Sequence, residues 1–130
     1  MTTTTADREL LALAAEAAGY IVRWVDGVTP MHYTGYMRDT GTHNPVGFEH
    51  EVRWNPLTDD GDAFRLTATL KMEVYHADDE GEAAYASYVK PNSAIAYCIE
   101  YYDDICNMGN QYAATRRAIV RAAAEMGKLI

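Results

Sequence analysis

The stretch "KMEVYHADDEGEAAYASYVKPNSAIAYCIEYY", residues 71–102, decides the fold. Three runs rich in β-branched and aromatic residues, 71–77, 83–89 and 94–102, are separated by the acidic turn "DDEGE" and by "KPNS". Connections this short join antiparallel neighbours, because a parallel pair needs a crossover of about a dozen residues or more. The segment therefore predicts a three-stranded meander. In its last run Ile95, Tyr97, Ile99 and Tyr101 share one face, since side chains alternate along a strand.

Outward from the meander, helical periods take over. After the polar loop "DDICNMGNQ", residues 112–127 read as a helix with an apolar stripe of Ile119, Val120, Ala123, Met126 and Gly127. Before the meander, a helix is predicted from about Thr58 to Leu70, with Ala63, Leu66, Thr67 and Leu70 on one face. "FEHEVRW" (48–54) sets Phe48, His50, Val52 and Trp54 against Glu49, Glu51 and Arg53, a period of two that predicts a half-buried strand, with His50 directed at the core. "YIVRWV" (20–25) and "MHYTGYMRD" (31–39) are expected to pair across the Asp26-Gly27 turn, and 40–47 reads as loop. The opening helix, 5–19, takes Thr5 or Asp7 as its cap, buries Leu10, Leu13, Ala14 and Ala17, and ends at Gly19. With no repeat, linker or low-complexity tract beyond the first threonines, the expected fold is one α+β domain over 1–130. It has an antiparallel sheet of about five to six strands packed by three helices.

The chain has 130 residues, 48% hydrophobic and 23% charged, enough to bury a core without disulfide or metal. Its net charge of -8 disfavours nucleic acid and anionic lipid as partners. No apolar run reaches membrane-spanning length, and "MTTTTADREL" lacks the pattern of a secretory signal, so the expected location is cytoplasmic. Cys98 and Cys106 form no CxxC pair and are expected to be reduced thiols; Asp103 and Asp104 argue against Cys106 as a nucleophile. Ten tyrosines against two phenylalanines suit strands, interfaces and ligand stacking alike.

"WNPLTDDGDAFRL" (54–66) gathers three aspartates round Gly61. The spacing fails the calcium-loop pattern, which needs alternating ligands and a distant glutamate. It suits a helix start: Asn55 or Thr58 as cap, Pro56 in the first turn, carboxylates at the positive end of the dipole, and Trp54 stapled to Leu57. A divalent metal on one or two of these carboxylates, serving a hydrolase, is a secondary reading. The histidines at 32, 43, 50 and 76 lack zinc-site spacing, and no GxSxG, GxGxxG or Walker sequence is present. No cofactor, catalytic residue or metal ligand is assigned.

Positive charge concentrates on the last helix, as Arg116, Arg117 and Arg121; the last two are four apart and share a face. Such a stripe either balances nearby acids or clamps phosphate or carboxylate. On the second reading Arg53 and Arg65 join it, with Asn55, Trp54, Trp24 and Tyr112 completing a site that stacks a base.

Two blocks, "RWNPLTDDGDAFRL" (53–66) and "YAATRRAIVRAAAEMG" (112–127), resemble the signature segments of the NinX-like group of small bacteriophage and prophage proteins, and "DRELLALAAEAAG" (7–19) resembles that group's opening helix. The matching positions are Trp54, Asn55, Pro56, Leu57, Asp59, Asp60, Gly61, Asp62, Arg65, Thr115, Arg116 and Ala118. The region 71–110 departs from the group in being longer and richer in tyrosine. The resemblance carries no chemistry, but it implies a phage accessory protein acting in an infected bacterial host. By analogy with other phage accessory proteins, the expected role is a non-enzymatic, homo-oligomeric binder of a small anionic ligand. A cyclic nucleotide or an ADP-ribose derivative that signals host immunity is the expected class. The alternative is an inhibitor that covers a host defence enzyme with the acidic runs 59–62, 78–82 and 100–104.

Overall fold

Small side chains at helical spacing dictate the architecture. The computed structural model describes residues 4–27, 33–43, 49–78 and 81–130; the side chains of 41–43, 49 and 50 are outside that description. The helices are α1 (Thr5–Ala18), α2 (Asp60–Leu70) and α3 (Gln111–Gly127), and the strands are β1 (Val22–Val25), β2 (Gly35–His43), β3 (Glu49–Trp54), β4 (Glu73–Ala77), β5 (Ala83–Val89) and β6 (Ile95–Tyr101). The α+β class and the antiparallel pairing are as expected. The sheet is not: six strands divide into two three-stranded sheets, β1-β2-β3 (sheet A) and β4-β5-β6 (sheet B). Local pairing rules bring sequence neighbours together but do not join one three-strand unit to the next across an intervening helix.

The axis of the molecule is α3. Ala114, Ala118, Ala122, Ala123, Ala124 and Gly127 are buried along it, and their small size lets α1, α2, β5 and β6 pack closely round it. Sheet B answers in kind. Ala84 and Ala86 of β5 point at α3, with Cys98 of β6 beside them. Sheet A joins the same core through aromatic rings. Trp54 is buried edge-on to Tyr20 and Tyr36, at ring separations of 6.0 and 6.5 Å. The Tyr36 hydroxyl donates to Arg8 O of α1 at 3.4 Å.

Helix ends follow capping chemistry with small shifts in residue. Thr4, rather than Thr5 or Asp7, caps α1 by accepting from Asp7 N, and Gly19 ends the helix in the left-handed region, φ 73°, as expected. The buried stripe of α1 is Leu11, Ala14 and Ala15, one position round from the expected set. The second helix begins at Asp60 with Asp59 as cap, while Asn55 closes a preceding turn instead, its side chain accepting from Leu57 N at 3.0 Å. β2 extends through 40–43, a stretch that reads as loop, and its register with β3 shifts between Asp39 and His43. Of the strand face expected at 48–54, Trp54 is buried and Val52 is exposed; Phe48, the His50 side chain and His32 lie outside the described residues. Among the described residues no helix is long and apolar enough to cross a membrane.

Helices α1 and α3 approach closely at Gly127, where a Cβ would stand 2.2 Å from Leu13 O of α1. A Gly127→Ala substitution must push the two helices apart. It is expected to cost about 1–3 kcal/mol, read as a lowered urea midpoint with an unchanged slope.

Candidate functional site

Two clefts flank the start of α3, and Arg116 is a wall of both. The first has a volume of about 590 Å³, within the range of small-molecule sites. Its floor is apolar, formed by Ala63 of α2, Met72 and Val74 at β4, and Ile119 of α3. Its rim carries Phe64 of α2 and Tyr112 of α3, which are 70% and 61% exposed. Large apolar side chains held in water on both sides of an apolar hollow are the kind of surface that marks binding sites.

The polar groups of this cleft are few and fixed. His76 Nδ1 and the Tyr102 hydroxyl share a 2.5 Å hydrogen bond at one end. Burial pushes the Tyr102 phenol above its usual range, and the nearby Glu82 charge adds to that. Thr67 and Thr115 direct their hydroxyls to the helix carbonyls of Phe64 and Gln111, at 2.6 and 2.7 Å. Arg116 donates Nε to Leu57 O at 2.8 Å and Nη1 to Asp60 Oδ1 at 2.7 Å, and its Nη2 has no protein partner among the described residues. A planar donor edge is thus presented from a braced guanidinium.

The second cleft, about 400 Å³, has more polar residues along its walls, beside Leu57, Met108 and Ala113. Asn55, Thr58, Asn107, Asn110 and Arg117 line it, with the exposed thiol of Cys106. Asn110 caps α3 by accepting from Tyr112 N and Ala113 N. Asn107 is buried, donating to Glu100 Oε1 at 3.1 Å and to Tyr101 O at 2.7 Å, and its Oδ1 has no partner among the described residues.

The arginine stripe does not converge as expected. Arg117 and Arg121 share a face, but what lies between them is Glu100 of β6, a buried carboxylate of the protein itself. Arg121 Nη1 donates to Glu100 Oε2 and, at 2.9 Å, to Ile99 O. Arg117 lies 3.9 Å from Glu100 and donates to Asp7 Oδ1 at 3.1 Å. Arg65 pairs with Asp62 at 2.7 Å, and Arg53 stands 4.6 Å over the Tyr33 ring; neither lines either cleft. Trp54 is core and out of reach of a ligand. Trp24 is covered by the Arg8 guanidinium at 4.1 Å and meets Tyr36 edge-on at 5.0 Å. Of the nine residues singled out in the sequence, Arg116 and Tyr112 meet in the apolar cleft, and Asn55, Arg116 and Arg117 in the polar one.

The aspartates hold the start of α2. Asp59 accepts from Asp62 N at 2.8 Å, buried Asp62 accepts from Asn55 N at 2.9 Å, and Asp60 faces Arg116. Among the described residues no three His, Cys, Asp or Glu side chains gather as a metal set. The acidic runs do not form one free face either: Glu100 is internal, Asp60 is paired, and residues 79 and 80 lie outside the described residues. Phe64, His76 and Tyr102 escaped the sequence reading. Phe64 alone left a signal there, a large apolar residue on the polar side of its helix.

No protein-family model matches the chain, and neither a curated protein nor a solved structure matches it.

Replacing Glu100 by Gln leaves Arg117 and Arg121 facing each other without the anion. Allowing for the partial exposure of Arg121, the loss of stability is expected to be about 2–3 kcal/mol. A second change, Arg121→Gln, should recover part of it in urea melts. The two thiols should also separate. Burial pushes the Cys98 thiol up, with Arg121 pulling the other way, whereas Cys106 is exposed. Iodoacetamide is expected to label Cys106 alone in the folded chain and both cysteines in denaturant, read by peptide mass.

Proposed function

We propose that this protein binds, without turning over, a small ring-containing ligand that carries one anionic group, in the apolar cleft between α2, β4 and α3. The supporting observation is Arg116: a guanidinium already anchored through Nε and Nη1, whose Nη2 has no protein partner among the described residues, in a cleft with two exposed aromatic side chains and an apolar floor. The ring lies against Tyr112 and Phe64, where a planar group gains from both burial and stacking. The anion meets Arg116, whose planar fork suits carboxylate or phosphate. His76 and Gln111 are the remaining polar contacts for the ring's edge.

A nucleotide-derived ligand satisfies this description, with its base in the apolar cleft and its phosphate towards the polar one. The resemblance to NinX-like phage proteins gives such binding a setting, the removal of a nucleotide signal of host immunity in the cytoplasm of an infected bacterium. The ion pair between Arg116 and Asp60 favours one anionic group over several, because the local charge is close to balanced.

Thermal melting with adenosine monophosphate, cyclic nucleotides and ADP-ribose tests the reading. A ligand present at a hundred times its Kd stabilises by about 2.7 kcal/mol. At least one compound is expected to raise the melting temperature. Tyr112→Ala and Phe64→Ala should weaken its binding about tenfold each while leaving the unliganded melt unchanged, since both side chains are mainly in water. Arg121→Lys, remote from the cleft, should bind as the parent does. No shift with any of these compounds would remove the nucleotide class, and undiminished binding in both aromatic variants would remove the cleft.

A further inference from the structure

Among the described residues, sheet B is covered on one side only. Ala84, Ala86, Tyr88 and Cys98 face α3 and are buried. The alternate side chains face away from it. The register sets Tyr75, Tyr85 and Ile99 in one row across the three strands, with Ser87 beside Tyr97 and Val89 beside Ile95. Tyr75 and Tyr85 stack at 4.8 Å with their planes 8° apart, and Tyr97 follows at 5.7 Å from Tyr85. A ladder of rings thus crosses the open face.

This face is wide and carries one charged side chain, Glu73 on the edge strand. Tyr75, Val89, Ile95 and Tyr97 are 44%, 63%, 75% and 60% exposed. Together they present on the order of 500 Å², taking roughly 150–250 Å² for a large side chain in full. Half-buried Tyr85, Ile99 and Tyr101 widen it towards the ~800 Å² per partner of a stable interface. No residue of β5 is charged, nor is any outward residue of β6; Glu73 stands at the margin. In a chain of net charge -8, a face of this size whose one carboxylate, Glu73, sits on the edge strand offers little for a basic partner to pair with. The surface that complements a flat array of tyrosine, isoleucine and valine is a second such array.

We infer that the outer face of sheet B is the contact surface of a homodimer, in which a second copy of this chain lays its own sheet B on the first about a two-fold axis. The sheets pack about 10 Å apart, as aligned sheets do. Each α3 then covers one side of its sheet and the partner's sheet covers the other. The strand β4 presents Tyr75 to this contact and Val74 to the apolar cleft, so dimerisation leaves the cleft open.

Sedimentation equilibrium of the full chain is the test. The expected mass is twice the 14.5 kDa of one chain. Because the copies carry like net charge, added salt should tighten the association. Tyr97→Lys and Ile95→Lys each bring like charges together across the axis and should weaken it about 100-fold. Val89→Ser, at the exposed end of the central strand β5, is a milder change expected to weaken it about tenfold while keeping the parent circular dichroism. Phe64→Ala in the cleft should leave the mass unchanged. A parent chain that stays monomeric at hundreds of micromolar in high salt overturns the inference. So does a dimer that folded Val89→Ser and either folded lysine variant leave intact, since that dimer uses another surface. Because the parent mass is read first, failure of the lysine variants to fold leaves the outcome decided by the parent and by Val89→Ser.

Discussion

Close packing of small side chains round α3 is the constraint on which the rest depends. Eleven of the twenty buried apolar residues among the described positions are alanine, and they concentrate on α1, β5 and α3. Each alanine removes little apolar surface from water, worth about 0.8 kcal/mol per buried methylene-sized group. The gain is proximity: backbones approach until there is no room for a methyl group at Gly127. A core of this kind resists enlargement more than it resists truncation. It also leaves many of the large apolar side chains with no interior place, and Phe64, Tyr112, Tyr97 and Ile95 are consequently outside.

The same constraint explains the arginines. With sheet B drawn close to an alanine-rich helix, the inward side of β6 has room for Ala96, Cys98 and one longer group, Glu100. A buried carboxylate requires compensation, and Arg121, Arg117 and Asn107 supply it from α3 and the loop before it. That leaves Arg116 as the member of the stripe that reaches the cleft beside α2, while Arg117 also lines the second cleft. The division of labour follows from direction round the helix: Arg117 and Arg121, four apart, share the face towards β6, whereas Arg116, about 100° round from Arg117, faces α2.

How much of this was legible follows from what a linear pattern encodes. The meander at 71–102 was legible, since alternation and short turns are local. The start of α2 was legible as chemistry and misplaced by residue, because Asn55, Thr58 and Asp59 are all capping types and the winner is set by the turn that Asn55 closes. That Ile95, Tyr97, Ile99 and Tyr101 share a face was legible. That this is the open face was not, since hydrophobicity favours burying it, and only the alanines of α3 select the smaller face opposite. The shared face of Arg117 and Arg121 was plain from their spacing, but a strand carboxylate as its occupant depends on tertiary register. Division into two sheets was illegible for the same reason.

Large side chains excluded from a small-residue core are useful only where something else covers them. They fall into two groups on this chain, and β4 separates them: Val74 and His76 belong to the cleft side, Tyr75 to the tyrosine ladder. A five-residue edge strand with such different faces moves as a unit, because its ladder to β5 fixes both. Any displacement of β4 by an occupant of the cleft therefore reaches the ladder, and any contact on the ladder reaches the cleft. By linkage the two effects on affinity must be equal in size. The bond between His76 and Tyr102 ties β4 to the end of β6 from the cleft side, limiting how far the strand can move before that bond breaks.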